Sequence, residues 1–418
     1  MNILKNFNLS FVNLIIASIV PFLIWGPFFP DLIISISALF FLFYALKNRN
    51  FYFFFNKSII IFFIFCIYCI FISLFVAEDR MMSFESSLFY FRIGLFSCFI
   101  WYLIEQNKNI LTFFYYSLIL SFSALVIDGY VQYFTGFNLS GFKLSSNIRV
   151  SSFFGDELIM GSYLSRLFPL LFALFLVKKK QKFEIYFIGL LFILVDILIF
   201  MSAERTAFYF LNLSTVFIII LIKEYQKFRL ITFLIAILAI FILSFNSQNL
   251  TERMFVNPAK SLGIIESSKE PIFFSGFHDS HYRTAYNMFK DKPLFGHGPK
   301  MFRIKCKNEK FAVGIMPCST HPHNFYLQLL AETGIIGFLF LFTALSYVIY
   351  TALRQFKSII FRQKRPLTDY QVCLLAGILI TVWPLTPNGN FFNNWLMVVY
   401  SFPIGFYLQS IYSKKAIK

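Results

Sequence analysis

Long apolar segments alternate with short polar ones along most of the chain. About 20 consecutive apolar residues form a helix long enough to cross the hydrocarbon core of a membrane. The pattern predicts twelve such helices, at residues 10–28, 31–47, 58–76, 86–104, 109–134, 158–177, 183–203, 206–222, 230–245, 325–352, 370–386 and 392–411. We therefore expect an all-α polytopic membrane protein.

One polar stretch interrupts this pattern between the ninth and tenth predicted spans. Loops as long as residues 246–322 are usually functional or disordered. The chain thus divides into a first membrane part (1–245) with helices one to nine, a loop (246–322) with short helices, and a second membrane part (323–418) with helices ten to twelve.

Basic residues predict the orientation of these helices. With the N-terminus in the cytoplasm, the inner segments carry twenty Lys and Arg, whereas the short outer loops carry only Arg80, Lys143, Arg149 and Arg205. Lys and Arg concentrate in the cytoplasmic loops of membrane proteins. We expect both termini inside and the loop 246–322 outside the cytoplasm.

Composition narrows the class of protein. Hydrophobic residues make up 58% of the 418 residues and charged residues 14%, which excludes an ordinary soluble enzyme and a disordered chain. The net charge of +17 is mostly explained by the inner loops. It does not form the clustered patch that nucleic acid needs, so we expect no nucleic-acid partner.

All five histidines lie in or directly after the long loop, at His278, His281, His297, His321 and His323. The run His321-Pro322-His323 enters the tenth span, and Pro favours the first helical position. This predicts His321 as the N-cap and His323 in the first turn. The positive end of the helix dipole disfavours imidazolium there, and a neutral imidazole suits a general base. The alternative is a pair of polar residues at a membrane entry point.

Two arginines are candidates for binding an anion. Arg205 lies in a very short outer connection, where arginine is disfavoured, and Arg283 lies in an amphipathic stretch of the loop. A guanidinium fork fits phosphate or pyrophosphate. The alternatives are interfacial snorkelling for Arg205 and a solvated helix face for Arg283.

Four charged residues fall inside predicted spans, at Arg92, Asp128, Arg166 and Asp196. Their positions along the helices place all four about 10 Å below the outer face at 1.5 Å per residue. Their shared depth predicts structural pairing of arginine with aspartate. The small residues Ala331, Gly334 and Gly337 in the tenth span are interpreted as a helix-packing notch.

The six cysteines divide by location. Cys66, Cys69, Cys98 and Cys373 fall within apolar spans and are interpreted as packing residues. Cys306 and Cys318 share the outer loop, and an oxidising compartment would favour a disulfide between them. Zinc binding by these cysteines with nearby histidines stays open, although their spacing matches no standard zinc motif.

Several motifs resemble one family, the O-antigen ligase and polymerase superfamily. The most specific element is His323-Asn324 followed after nine residues by Gly334-Ile335-Ile336-Gly337. The other elements, in order, are Asp128 to Tyr133, Arg149 with Phe154 to Glu157 and Gly161 to Tyr163, Ser202 to Thr206, Arg283 with Asp291 to Gly298, and Pro384 to Trp395. The resemblance covers roughly residues 125–400.

The resemblance implies a glycosyltransferase of the bacterial inner membrane with its active site facing the periplasm. Its donor would be a glycan on undecaprenyl pyrophosphate, its acceptor lipid A-core or another glycan, and its surroundings membrane lipids. His323 would activate the acceptor hydroxyl, while Arg205 and Arg283 would bind the pyrophosphate. The resemblance also implies a reaction without a metal or other cofactor.

Other functions remain open on the sequence alone. Within the family, an O-antigen ligase is preferred over a polysaccharide polymerase or a protein O-oligosaccharyltransferase because the histidine element is complete. A polysaccharide transporter would more often show repeated halves and broken helices at mid-membrane, and no repeat is evident. An assembly scaffold would tolerate loss of His323.

Overall fold

A computed structural model describes residues 9–146, 148–178, 181–262, 264 and 275–413 of the chain. These residues form helices and no β-strand; two isolated β-bridges lie in the loop that follows Thr135. Six basic residues that contribute to the predicted orientation lie outside the described residues: Lys5, Lys179, Lys180, Lys414, Lys415 and Lys418.

In the described residues, eleven α-helices and one short 3-10 helix (Ser152–Phe154) precede the long loop. The α-helices are α1 (Leu9–Ala17), α2 (Ile19–Trp25), α3 (Phe28–Lys47), α4 (Lys57–Phe75), α5 (Arg80–Leu88), α6 (Phe91–Gln106), α7 (Asn109–Thr135), α8 (Met160–Val177), α9 (Lys182–Met201), α10 (Arg205–Leu221) and α11 (Gln226–Asn246). The loop carries α12 (Gln248–Thr251), a π-turn (Glu252–Val256), α13 (Asn257–Ser261), α14 (Gly276–Asp291) and α15 (Phe302–Lys305). The last three helices are α16 (Phe325–Ile360), α17 (Asp369–Thr381) and α18 (Asn394–Tyr412).

Eight helical stretches in the described residues are long and apolar enough to cross a membrane. They are Phe28–Lys47, Lys57–Phe75, Arg80–Gln106, Asn109–Thr135, Met160–Val177, Lys182–Met201, Gln226–Asn246 and Phe325–Ile360. Shorter apolar helices lie at Leu9–Trp25, Arg205–Leu221 and Asp369–Thr381. An all-helical, multi-pass membrane protein is therefore confirmed. The number of twelve crossings and the side that carries the loop stay predictions.

Helix α8 lies at the centre of the bundle. In its most apolar window 83% of the residues are buried, compared with 22% in α11 at the periphery. It packs against α17, α10 and α7. A side chain on α8 therefore faces other helices and not lipid on almost every side.

A glycine breaks α16 near its start. Gly334 has φ +65° and ψ −167°, which a residue with a side chain rarely adopts. A Cβ at this position would lie 2.2 Å from the carbonyl oxygen of Leu294. Gly334 is therefore more than the packing residue that the sequence suggested, because only glycine permits this close approach.

The loop turn at residues 293–298 fills the break in α16. The N–H groups of His297 and Gly298 donate to the carbonyls of Ala331 and Glu332 at 3.0 and 2.8 Å. The N–H of Ile335 donates to the carbonyl of Pro293 at 2.8 Å. These bonds replace helical bonds lost at the break, so the loop is fixed to the first two turns of α16.

The predicted pairing of Arg92 and Arg166 with Asp128 and Asp196 is wrong. Arg92 pairs with Asp31 of α3 at 2.6 Å, and Asp196 pairs with Arg229 of α11 at 2.8 Å. Asp128 accepts hydrogen bonds from the Ser152 hydroxyl and the Leu139 N–H. The shared depth that the sequence predicts did not bring these charges together, because helix rotation and packing decide which side chains meet.

The long loop has a small core of its own. Ala285, Met288, Phe302, Cys306 and Phe311 are buried there against Ala331 of α16. Cys306 and Cys318 form a disulfide with their Cα atoms 5.1 Å apart, as the sequence predicted. The disulfide holds the chain that leads to His323 against this core.

Candidate functional site

A large cavity opens between the membrane helices and the long loop. Its volume is about 1560 Å³, which exceeds the roughly 300–1,000 Å³ of pockets for small ligands. Apolar residues 23–27 and 158–159 line one part of it. Five arginines also line it, at Arg149, Arg166, Arg205, Arg253 and Arg303.

His323 lines the cavity directly before α16, and not in the first helical turn as predicted. The N-cap is Asn324, whose side-chain oxygen accepts the N–H groups of Tyr326 and Leu327 at 3.0 and 3.1 Å. The prediction of His321 as N-cap and of His323 in the first turn is therefore wrong. Asn324 is the better cap because its short side chain reaches back to the first turn.

His323 adopts a strained backbone conformation just before the helix. Its φ is +57°, which is uncommon for a residue other than glycine. Its carbonyl accepts the N–H of Asn388 at 2.8 Å, and its Nε2 lies 3.2 Å from the Ser319 hydroxyl. Strained residues held by such contacts are frequent at functional sites.

Three imidazoles surround the ring of His323. The ring centroid of His323 lies 4.1 Å from that of His321, 5.3 Å from that of His281 and 5.4 Å from that of His278. His278 and His281 lie one helical turn apart on α14, so the loop helix is packed with its histidine face towards α16. The clustering of histidines in sequence thus becomes a cluster in space.

Burial keeps these imidazoles neutral. It lowers the pKa of His323 to about 3, and the neighbouring His321, His278 and His281 act in the same direction. Burial likewise lowers the pKa of His321 and His278 to about 4. His323 is therefore unprotonated at neutral pH, and burial, not the helix dipole, is the main cause.

The turn before α10 presents Arg205 to the cavity. Two other arginines hold this turn by its backbone: Nε of Arg149 donates to the Ser202 carbonyl at 3.2 Å, and Nε of Arg253 donates to the Ala203 carbonyl at 3.1 Å. Ala203 itself has φ +53°. Three guanidinium groups from separate segments of the chain therefore converge on one turn.

Glu204 joins this turn to the start of α8. Its carboxylate accepts the N–H groups of Gly161 and Ser162 at 2.6 and 3.0 Å and the Ser162 hydroxyl at 3.0 Å. A Cβ on Gly161 would lie 2.6 Å from the Ser202 hydroxyl oxygen, so glycine is needed for this close packing. These contacts fix the direction from which Arg205 enters the cavity.

The charges near the turn do not balance. Burial lowers the pKa of Arg149, and the nearby Arg253 and Arg205 lower it further, against the opposite effect of Glu204. Three cations thus face one closely bonded carboxylate. Such an excess of positive charge in a partly buried site is suited to a polyanion.

A buried polar network supports the first turns of α16. Gln328 donates to Glu332 at 2.9 Å and to Asn390 at 2.8 Å. Glu332 accepts the N–H of Phe302 at 3.0 Å, while Gln328 accepts the N–H of Phe391 at 2.9 Å. The network ties α16 to α15 and to the segment before α18, and so fixes the helix start beside His323.

A comparison with protein families matches a large part of the chain that forms the cavity. Residues 188–342 match the family model described as O-antigen ligase. This segment belongs to the O-antigen ligase superfamily. It runs from α9 through the long loop to α16, and it contains Arg205, Arg283 and His323. No curated protein matches the chain.

Arg283 of the O-antigen ligase segment lies apart from the cavity. Its side chain is 59% exposed, and its Nε pairs with Asp279 at 2.8 Å one turn earlier on α14. It is not among the residues that line the cavity. The structure therefore brings together Arg205 and His323 but not Arg283, whose binding role stays a prediction.

Sequence reasoning did not select several cavity residues. Arg149 shares with Arg205 its place in a short outer loop, so the same argument could have found it. Arg253 and Arg303 are two of the many basic residues in the loop and carry no such signal. Asn388 lies in the closing family motif, but only the fold shows its contact with His323.

Among the described residues, no group of three or more His, Cys, Asp or Glu side chains is arranged to hold a metal ion. The histidine cluster thus has no carboxylate or thiolate partner in such an arrangement. The reaction without a metal, which the resemblance implies, stays a prediction.

Proposed function

We propose that this chain is a membrane glycosyltransferase of the O-antigen ligase type. It moves a glycan from undecaprenyl pyrophosphate to a hydroxyl group of lipid A-core at the periplasmic face of the inner membrane. The observation that carries this proposal is a single cavity, in a chain of this superfamily, that joins a neutral imidazole to a group of arginines.

The arginines supply the site for the donor. Arg205, with Arg149 and Arg253 beside it, offers the unbalanced positive charge that a pyrophosphate would neutralise. Guanidinium groups bind phosphate oxygens in a planar, bidentate manner that lysine does not reproduce. The exposed Arg283 is the weaker candidate for binding pyrophosphate, because its guanidinium group already pairs with Asp279.

His323 supplies the base. The acceptor oxygen attacks the anomeric carbon of the donor, and the bond from that carbon to the phosphate oxygen breaks. The acceptor proton moves to a ring nitrogen of His323, and undecaprenyl pyrophosphate leaves with the bonding electrons. Because pyrophosphate is a good leaving group, the protein needs mainly a base and positive charge.

The apolar part of the cavity suits a lipid-linked substrate. Trp25, at the end of α2, lines the cavity and is 74% exposed, and Phe28 at the start of α3 is 68% exposed. Large apolar side chains that are exposed on a membrane protein face lipid or a ligand. A polyprenyl chain could pass this edge while its pyrophosphate meets the arginines.

A deletion strain tests the proposed acceptor. Loss of all O-chains with an intact core supports the ligase, and wild-type chain but not His323→Ala should restore them. Retention of a single repeat unit would show a polymerase, and loss of glycan from proteins alone would show a protein O-oligosaccharyltransferase. An unchanged lipopolysaccharide profile would contradict any role of this chain in the synthesis or attachment of O-chains.

A further inference from the structure

Arg166 of α8 is a buried cation that lines the same cavity. Only 4% of its surface is exposed. Its guanidinium carbon lies 4.6 Å from the ring centre of Phe210 and 4.2 Å from that of Tyr400. Aromatic rings therefore stabilise its faces, but they provide no hydrogen-bond acceptor in its plane.

No carboxylate of the described residues lies within ion-pair distance of Arg166. Its Nη2 donates to Oδ1 of Asn388 at 2.9 Å, whereas Nε and Nη1 have no hydrogen-bond partner in the described part of the chain. A buried charge is costly unless it is paired, and buried donors are seldom left unsatisfied. The Glu204 carboxylate interacts with this charge only from beyond ion-pair distance, so Nε and Nη1 remain available to an oxyanion.

Asn388 links Arg166 to the histidines. The same residue that accepts from Arg166 donates its N–H to the His323 carbonyl at 2.8 Å. Its own carbonyl lies 3.3 Å from Nε2 of His321. Asn388 thus connects Arg166 to the proposed base, His323. Asn388 belongs to the segment that precedes α18.

The position of Arg166 on α8 also places it near the arginine turn. Ser162, which binds Glu204, lies four residues earlier on the same helix face. One helical turn is about 5.4 Å, so Arg166 lies one turn further along α8 than the contact that fixes Arg205. It is therefore close both to the proposed donor site and to the proposed base.

We propose that Arg166 binds a non-bridging oxygen of the donor phosphate that carries the glycan. This inference rests on the proposed function. When the bond between the anomeric carbon and the phosphate oxygen breaks, negative charge develops on that phosphate while the acceptor proton moves to His323. Arg166 is joined to His323 through Asn388, and its Nε and Nη1 are available to bind this charge.

An anionic group on the acceptor is the other source of the same chemistry. Transfer kinetics with purified full-length protein in detergent distinguish the two sources. Arg166→Met should raise the KM for the lipid-linked donor, lower kcat, and leave the KM for the acceptor unchanged. A raised KM for the acceptor alone would overturn the assignment to the donor.

Thermal unfolding separates a binding role from a structural one. Farnesyl pyrophosphate, as a short donor analogue, should raise the Tm of the wild-type protein. Arg166→Met removes an unpaired buried charge but keeps a similar apolar volume, so its Tm without ligand should be unchanged or higher, and the ligand-induced shift should be lost. A lower Tm together with a retained shift would show that Arg166 is structural.

A second variant supplies the missing partner from within the chain. Asn388→Asp places a carboxylate at the atom that already accepts from Arg166. It should raise the Tm without ligand and weaken the shift with farnesyl pyrophosphate. A normal shift in this variant would overturn the proposal.

A matched control is Arg92→Met, because Arg92 is also an arginine of a membrane helix but pairs with Asp31. It should lower the Tm and keep the ligand-induced shift; a loss of the shift here would overturn the claim that Arg166 acts specifically. If farnesyl pyrophosphate does not stabilise the wild-type protein, the proposed donor class fails and this inference with it. If it stabilises the wild type and Arg166→Met alike, only this inference fails.

Discussion

Two buried arginines show how one residue type serves two purposes in this bundle. Arg229 on α11 is fully buried, lies over the ring of Phe168, and binds both carboxylate oxygens of Asp196 at 2.8 and 3.1 Å. Arg166 on α8 is almost as buried and also stacks on aromatic rings, but it has no carboxylate among the described residues.

The two arginines differ in whether a carboxylate balances their charge. The Thr215 hydroxyl also accepts from Arg229, at 2.7 Å, so its charge is balanced within the bundle. Around the cavity, Arg149, Arg166, Arg205 and Arg253 form no ion pair within the described residues, and the Glu204 carboxylate is held by the backbone of Gly161 and Ser162. Unpaired charge that is confined to one cavity is a physical indication of a ligand site.

The largest effect is expected at His323. His323→Ala should lower turnover by about 10²–10⁴-fold, the usual contribution of a general base. The protein should still accumulate and still be stabilised by farnesyl pyrophosphate, since the arginines are untouched. Transfer by purified protein in detergent with EDTA present measures this.

His321→Ala is the matched control for His323→Ala, because the two rings are neighbours in the same cavity. It should have a smaller effect on turnover, since Nδ1 and Nε2 of His321 lie near Thr320 and the Asn388 carbonyl. An inactive His321→Ala beside an active His323→Ala would reverse the assignment. Loss of wild-type transfer with EDTA alone would contradict the mechanism without a metal.

Arg229→Met should show the opposite behaviour to Arg166→Met. It leaves Asp196 buried without a partner, and breaking a buried ion pair in this way typically destabilises by about 3–5 kcal/mol. The Tm of the purified protein should fall, and the double variant with Asp196→Asn should recover part of the loss. A Tm equal to that of the wild type would remove the contrast between the two arginines.

Replacement of Arg205 tests the arginine turn. Arg205→Lys keeps the charge but loses the planar fork, and one charge-assisted hydrogen bond of about 1.5–3 kcal/mol corresponds to roughly 10–100-fold in donor affinity. The KM for the lipid-linked donor measures this effect at matched protein abundance. Near-wild-type transfer would favour simple charge anchoring.

Arg283→Lys is the informative comparison with Arg205→Lys. The family resemblance expects both variants to impair transfer, whereas the exposed position of Arg283 and its pair with Asp279 favour a smaller loss. Equal losses would show that α14 moves towards the cavity when the donor binds.

The last prediction concerns the pH dependence of stability. Because the folded-state pKa values of His278, His321 and His323 lie at about 4, 4 and 3, the folded protein takes up fewer protons than the unfolded chain below the ordinary value of 6.5. The stabilisation that these neutral imidazoles contribute should therefore be complete above pH 6.5. The free energy of unfolding should decrease as the pH falls from 7 to 5.

The Tm of the purified protein across this pH range measures the effect. His278→Gln removes one of the three groups and should flatten the dependence. A Tm that stays constant or rises as the pH falls would contradict the burial of these imidazoles.

Some of the candidate site was predictable from the sequence. The histidines stood out because an otherwise apolar chain places all five in or beside one loop, and Arg205 stood out because short outer loops disfavour arginine. The helix start was placed at the wrong residue, since Pro322 suggested His321 as the cap while Asn324 has the side chain that closes it. Arg283 shared the chemistry of an anion ligand, but its helix turned it to the surface.

The local features of this protein could be read from its amino-acid sequence: the apolar helical segments, the long polar loop and the ordered family motifs. These depend on neighbouring residues, so periodicity and spacing reveal them. The fold was needed to show that Asp196 pairs with Arg229, that the loop turn at residues 293–298 fills the break at Gly334, and that Arg166 has no ion pair among the described residues. Such contacts join residues distant in the chain, and helix rotation and packing select them.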